Sequence, residues 1–165
     1  MTISRLLARP LLASMFIYGG VNALRNAQGH GQKAKPVTDK ITDLADRVAP
    51  QVPLPHDPVT LVRINGAAQV VAGAALATGH LPRISSAVLA GSLVPTTMAG
   101  HRFWEESDPA NRKAQTLQFF KNLSMLGGLM LASVDTEGKP GVAWRARHAV
   151  KDAKREAKLA AAKIH

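Results

Sequence analysis

The chain has 165 residues, one domain by length, with no cysteine and a formal net charge of +10. The missing thiols exclude disulfides, thiol catalysis and cysteine-based zinc or iron–sulfur sites. Hydrophobic residues make up 46% of the chain and aromatics only 4%, so the apolar mass is chiefly Ala, Leu and Val; it is gathered into blocks, while basic residues crowd the tail after Lys139.

A bilayer core of about 30 Å needs roughly 20 helical residues, and four blocks reach or approach that length. The first runs from about Ile3 to Leu24. Arg5, Arg9 and the weak cleavage box Val21-Asn22-Ala23 also suit a signal peptide. The block is long for that, however, and holds Pro10, Tyr18 and Gly19-Gly20. The segment from Arg25 to Pro58 is long for a connection and predicts structure of its own. Val37, Ile41, Leu44 and Val48 fall at helical spacing, which predicts a short amphipathic helix on the outer surface, ended by Pro50, Pro53, Pro55 and Pro58.

The second block runs from about Leu61 to Thr78 and the third from about Ile84 to Gly100. Asp108-Pro109 is a helix start, a capping residue followed by proline at the first helical position. The fourth helix is therefore expected from Pro109, with its apolar block at about Leu117 to Val134. Gly66, Gly73, Gly91 and Gly127-Gly128 recur within the blocks, where small residues allow close helix approach in lipid. A soluble bundle would show a charged stripe along each helix, and these blocks mostly lack one.

The expected fold is thus all-α: an integral membrane four-helix bundle with an amphipathic helix in its first loop. Residues 1–135 form the bundle, with spans at about 3–24, 61–78, 84–100 and 117–134. Residues 136–165 form a basic amphipathic or disordered tail. An even number of spans puts both termini on one side. Arg83 and the basic tail make that side cytoplasmic. In the tail, Ala146, Val150, Ala153, Ala157, Ala160 and Ile164 share one face and basic residues the other, which suits an interfacial helix on anionic lipid or a solvated one. The charge alone suits nucleic acid, but no aromatic platform accompanies it, and membrane lipids are the expected partner.

Helix direction brings the polar residues to one end. Tyr18, Asn22 and Arg25 lie toward the outer end of the first helix, and Arg63, Asn65 and Gln69 at the same level of the second. Thr96, Thr97 and His101 end the third, with Trp104 and Glu105 just beyond, while Lys121, Asn122 and Ser124 begin the fourth span. Lys121, about 6 Å deep at 1.5 Å per residue, reaches the interface by snorkelling. Asn122 is too short to do so. Asn65, Gln69, His101 and Asn122 are expected close together, with Arg63 and Lys121 at the rim, as either a hydrogen-bond clamp or a pocket. No nucleotide loop, His-Glu-x-x-His or serine elbow is present. The six histidines are scattered, and no catalytic or metal-ligating set is expected.

Several segments carry a resemblance: Arg9 to Gly20, Leu61 to Gly73, Val94 to Glu105 with its His-x-Phe-Trp element, and Phe120-Lys121-Asn122-Leu123 followed by Gly127-Gly128. They span roughly residues 5 to 135, and the chain resembles the DoxX family of small bacterial four-helix membrane proteins. The resemblance implies a membrane component associated with redox or sulfur-compound metabolism, in some relatives beside oxidative-stress enzymes. The absence of cysteine, a metal set and a nucleotide motif favours an accessory, non-catalytic subunit of such a complex. Many relatives carry an acidic residue in the second helix where this chain has Asn65 or Gln69. The alternative expectation is a small-molecule site, for a quinone or lipid, in the outer polar cluster.

Overall fold

The computed structural model of the protein describes residues 3–51, 54–136, 138 and 141–162, and the side chains of 142, 143, 146 and 157–162 are not among those described. Pro53, Lys139 and Ile164, and the tail-face side chains of Ala146, Ala157 and Ala160, therefore lie outside the described residues. The described chain is all-α: α1 Ile3–Arg25, α2 Ala27–Val48, α3 Pro58–Thr78, α4 Pro82–Gly100, a 3-10 turn at Phe103–Glu105, α5 Pro109–Val134 and α6 Val142–Ala162. Met1–Val134 and Asp135–His165 form two separate compact units.

Local chemistry sets the helix ends. Asp57 caps α3: its carboxylate accepts from the Thr60 N–H at 2.8 Å and the Thr60 hydroxyl at 2.6 Å, with Pro58 at the first helical position. Asp108 does the same for α5, accepting from the Asn111 N–H at 2.8 Å. Gly79, in the left-handed region at φ 76°, closes α3 in a Schellman motif. The His80 N–H there donates to the Ala75 carbonyl at 2.8 Å and the Gly79 N–H to the Leu76 carbonyl at 3.1 Å. The helices that carry the second and third apolar blocks begin a few residues before the blocks themselves. Both helices begin at a proline, α3 at Pro58 and α4 at Pro82, because capping rather than hydropathy decides where the backbone becomes helical.

The first unit is built on the antiparallel pair of α1 and α3, which make the most extensive helix contact among the described residues. Small residues one heptad apart set its register. Gly20 lies on Gly66, and Ala13 lies beside Gly73. Phe16, Ala72, Leu76, Leu89, Leu93 and Leu129 join Ala13 in the core, flanked by Leu12, Ile17, Met125 and Leu126. α4 packs on α3, and α5 packs on α4. Arg83, at the start of α4, donates to the Ser133 carbonyl in the last turn of α5 at 2.9 Å, where a cation suits the negative end of the helix. Arg9, counted in the sequence with a signal-like basic region, is buried in α1.

α2 differs from the short helix expected at residues 36–48. It begins at Ala27, so the chain turns from α1 into α2 at the single non-helical residue Asn26. Asn26 donates to the Asn22 carboxamide oxygen at 2.7 Å, and Asn22 meets His30 Nε2 at 3.2 Å, pinning the corner. The packed face is also not the apolar stripe. Ala27, Gly31, Ala34, Thr38 and Thr42 are buried, and α2 rests on α3 and α4. Gly31 meets Val59 in the first turn of α3, and Asp46 Oδ2 lies 3.7 Å from His56 Nε2 just before it. Both halves of α2 are thus held near the start of α3. The far end of the stripe faces outward, with Leu44 62% and Val48 75% exposed, while Val37 is half-buried. Small residues won the packed face because they allow the backbones to approach.

Candidate functional site: polar pairs at one end of the bundle

The antiparallel order of α1, α3, α4 and α5 brings the polar residues to one end. Their partners sort them into separate groups. On α3, Gln69 is buried and its Nε2 donates to Ser92 Oγ at 2.8 Å and to Thr96 Oγ1 at 3.3 Å on α4. One turn earlier, Asn65 Nδ2 donates to the same Thr96 hydroxyl at 3.1 Å. On the neighbouring face of α4, Thr97 Oγ1 accepts from Asn122 Nδ2 of α5 at 3.0 Å. Both threonines also donate to backbone carbonyls one turn back, Thr96 to Ser92 and Thr97 to Leu93. α4 is therefore the strap of this end, with one hydroxyl serving α3 and the next serving α5.

The remaining expected residues stand apart from these pairs. His101 Nδ1 meets Gln115 Oε1 at 2.7 Å, tying the end of α4 to the start of α5. Trp104 packs edge-on against Phe103 and Phe119, with ring centroids 5.1 and 5.9 Å away. Asn22 belongs to the α1–α2 corner. Tyr18 is 74% exposed, and Arg63 and Lys121 are exposed as well. Ser92, Gln115 and His30 complete bonds that the sequence reading did not name. Ser92 and Thr96 at i and i+4 on one apolar helix were the available signal.

Asn, Gln, Ser and Thr carry no titratable proton in the physiological range, so the pairs at the helix interfaces hold and orient without moving a proton. Beside Asn122 and Thr97, an open cleft of about 110 Å³ runs between α4 and α5, lined by Leu93, Val94, Met98, Phe119, Leu123 and Leu126. Its wall is apolar apart from that one pair. Among the described residues no three His, Asp or Glu side chains come together as a metal-binding group, and α3 is the one described helix long and apolar enough by itself to cross a membrane.

The DoxX family model matches residues 4–102, more than half of the chain. The chain belongs to the DoxX family. DoxX proteins are membrane proteins often linked to redox and stress contexts, and membership is consistent with a membrane location for this chain. The match takes in α1 to α4 and the α3–α4 polar pairs, and it stops at Arg102. Asn122, α5 and α6 lie beyond it. No curated protein and no solved structure matches the chain.

Proposed function

We propose that this DoxX protein crosses the bacterial plasma membrane four times, through α1, α3, α4 and α5, and serves as a non-catalytic subunit beside a redox or oxidative-stress enzyme. The observation that carries this reading is the surface of α5. In a helix of 26 residues only Leu129 is buried, while Leu117, Phe120, Leu123, Met130, Leu131 and Val134 are exposed. Such a surface calls for lipid or a protein neighbour. α1 presents Leu6, Leu7, Leu11 and Met15 in the same way. The carboxamide–hydroxyl pairs inside the bundle support a structural role for its polar residues, since unsatisfied groups in hydrocarbon cost several kcal/mol. In this reading both termini lie in the cytoplasm and α2 on the outer surface.

Affinity capture of the detergent-solubilised protein, read by mass spectrometry, tests the subunit role. A redox enzyme recovered reproducibly supports it, and recovery of the chain alone counts against it. A reporter fused after His165 that works only outside the cytoplasm overturns the orientation. The α4–α5 cleft favours a second reading, a quinone or lipid seated on Phe119 and Met98 with its polar group at Asn122. That reading expects such a molecule to be extractable from the pure protein and to be lost in Asn122→Leu.

A further inference from the structure

α6 lies outside the family match. At 3.6 residues per turn, its described side chains fall into three sectors. Arg147, Lys151, Lys154 and Arg155 occupy an arc of roughly 100°, all of them exposed. Asp152 and Glu156 lie on another side together with Arg145, and Ala149, Val150 and Ala153 form the third sector. The acids are thus segregated from four of the five described cations. Trp144 falls within the cationic arc rather than the Ala/Val sector. It is 50% exposed, and its ring stacks on that of His148 with centroids 3.5 Å apart and planes 18° from parallel.

An Ala/Val sector offers little area to drive insertion into hydrocarbon. A tryptophan on a cationic strip instead suits the headgroup layer, where indoles concentrate and anionic lipids attract Lys and Arg. We infer that α6 binds anionic phospholipid headgroups through Arg147, Lys151, Lys154 and Arg155, with Trp144 set among the headgroups. Two further points favour a lipid surface over a nucleic acid. The chain belongs to a membrane family, and residues 135–141, which join α5 to α6, span at most about 25 Å at 3.6 Å per residue. If the bundle crosses the bilayer as proposed above, this tether keeps the strip at high effective concentration beside one leaflet.

The test uses the full chain in nanodiscs of phosphatidylcholine, with or without phosphatidylglycerol, and reads hydrogen exchange of the 144–156 amides. Trp144 fluorescence is followed in a Trp104→Phe background, since the chain has two tryptophans. Phosphatidylglycerol should slow exchange and shift Trp144 emission to the blue, and raised salt should reverse both in the unaltered chain. Each charge removed among Lys151, Lys154 and Arg155 should weaken the response about fivefold, whereas Arg145→Gln, on the acidic side, should leave it unchanged. Equal exchange in both discs overturns the inference. So does an Arg145→Gln loss as large as that of Lys151→Gln, or protection by duplex DNA in phosphatidylcholine discs as strong as that by phosphatidylglycerol. A chain that inserts into neither disc overturns the bundle reading and, with it, this placement of α6.

Discussion

A Cβ added to Gly20 would lie 2.6 Å from the carbonyl oxygen of Gly66. The obstacle is backbone on a packed helix, so it cannot turn aside as a side chain would. Gly73 is less blocked, because its nearest neighbour at 2.8 Å is a side-chain atom, Ile17 Cγ1, and its nearest backbone atom, the Ala13 carbonyl oxygen, is 3.5 Å away, while Gly91 has nothing within 4 Å. Gly20→Ala should therefore destabilise the bundle by about 1–3 kcal/mol as α1 and α3 are forced apart, and Gly73→Ala by less. Gly91→Ala should be neutral or stabilise by up to about 1 kcal/mol. Thermal unfolding in detergent ranks the three. A Gly20→Ala protein as stable as Gly91→Ala would remove the close crossing from the account of this fold.

The sequence carried α1, α3, α4 and α5 as apolar blocks, and it carried the start of α5 in Asp108-Pro109, because hydropathy and capping are local. The start of α2 was hidden. Residues 27–35 read Ala-Gln-Gly-His-Gly-Gln-Lys-Ala-Lys, with two glycines and no large apolar residue, and their helix rests on tertiary contacts such as Gly31 against Val59. Helix direction put the polar residues at one end, but pairing depends on how each helix is rotated. Thr96 and Thr97 are neighbours in sequence and differ by about 100° around the axis, enough to send one to α3 and the other to α5. That rotation is set by packing along the whole helix and cannot be read from either residue.

The Asp57 cap gives α3 a pH dependence. The Thr60 hydroxyl, followed by the Thr60 N–H, holds the Asp57 carboxyl below the usual carboxylate range. A lowered folded pKa means that the ionised cap stabilises the helix above the ordinary carboxylate pKa of about 4. This contribution is lost as the pH falls through the lower folded value. Protection of the Val59 and Thr60 amides, taken relative to their intrinsic exchange rates, should fall in that acid window. Asp57→Asn, which caps without charge, should flatten the pH dependence of that protection, and Asp57→Ala should lower it at every pH. A profile in Asp57→Asn identical to that of the unaltered chain would show that the carboxylate is not its source.

Leu81 sits at φ 46° and ψ 48° between α3 and α4, in the left-handed region, with its side chain 69% exposed. A left-handed residue with a Cβ costs roughly 1–2 kcal/mol, and an exposed leucine recovers little of this by packing. Leu81→Gly should gain up to about 1 kcal/mol once the greater freedom of glycine in the unfolded chain is subtracted. Leu81→Ala keeps the Cβ and should change little. Glycine no better than alanine in thermal unfolding would mean that this turn holds no such strain.

The polar pairs predict which double substitutions couple. Gln69 with Ser92 and Asn122 with Thr97 are bonded at 2.8 and 3.0 Å, whereas Asn65 and Asn122 bond to different threonines. Gln69→Leu leaves the buried Ser92 hydroxyl without its donor, so adding Ser92→Ala should recover part of the loss. The expected coupling is about 0.6 kcal/mol, the typical value for such bonds in membrane proteins. Asn122→Leu with Thr97→Val should couple by a similar amount, since Thr97 bonds to Asn122 as well as to the Leu93 carbonyl. Asn65→Leu and Asn122→Leu should be additive within about 0.3–0.5 kcal/mol, as sites without shared partners are. Unfolding free energies of the three cycles decide the matter. Strong coupling of Asn65 to Asn122, with none between Gln69 and Ser92, would replace the separate pairs with a single shared cluster and reopen a polar pocket at this end of the bundle.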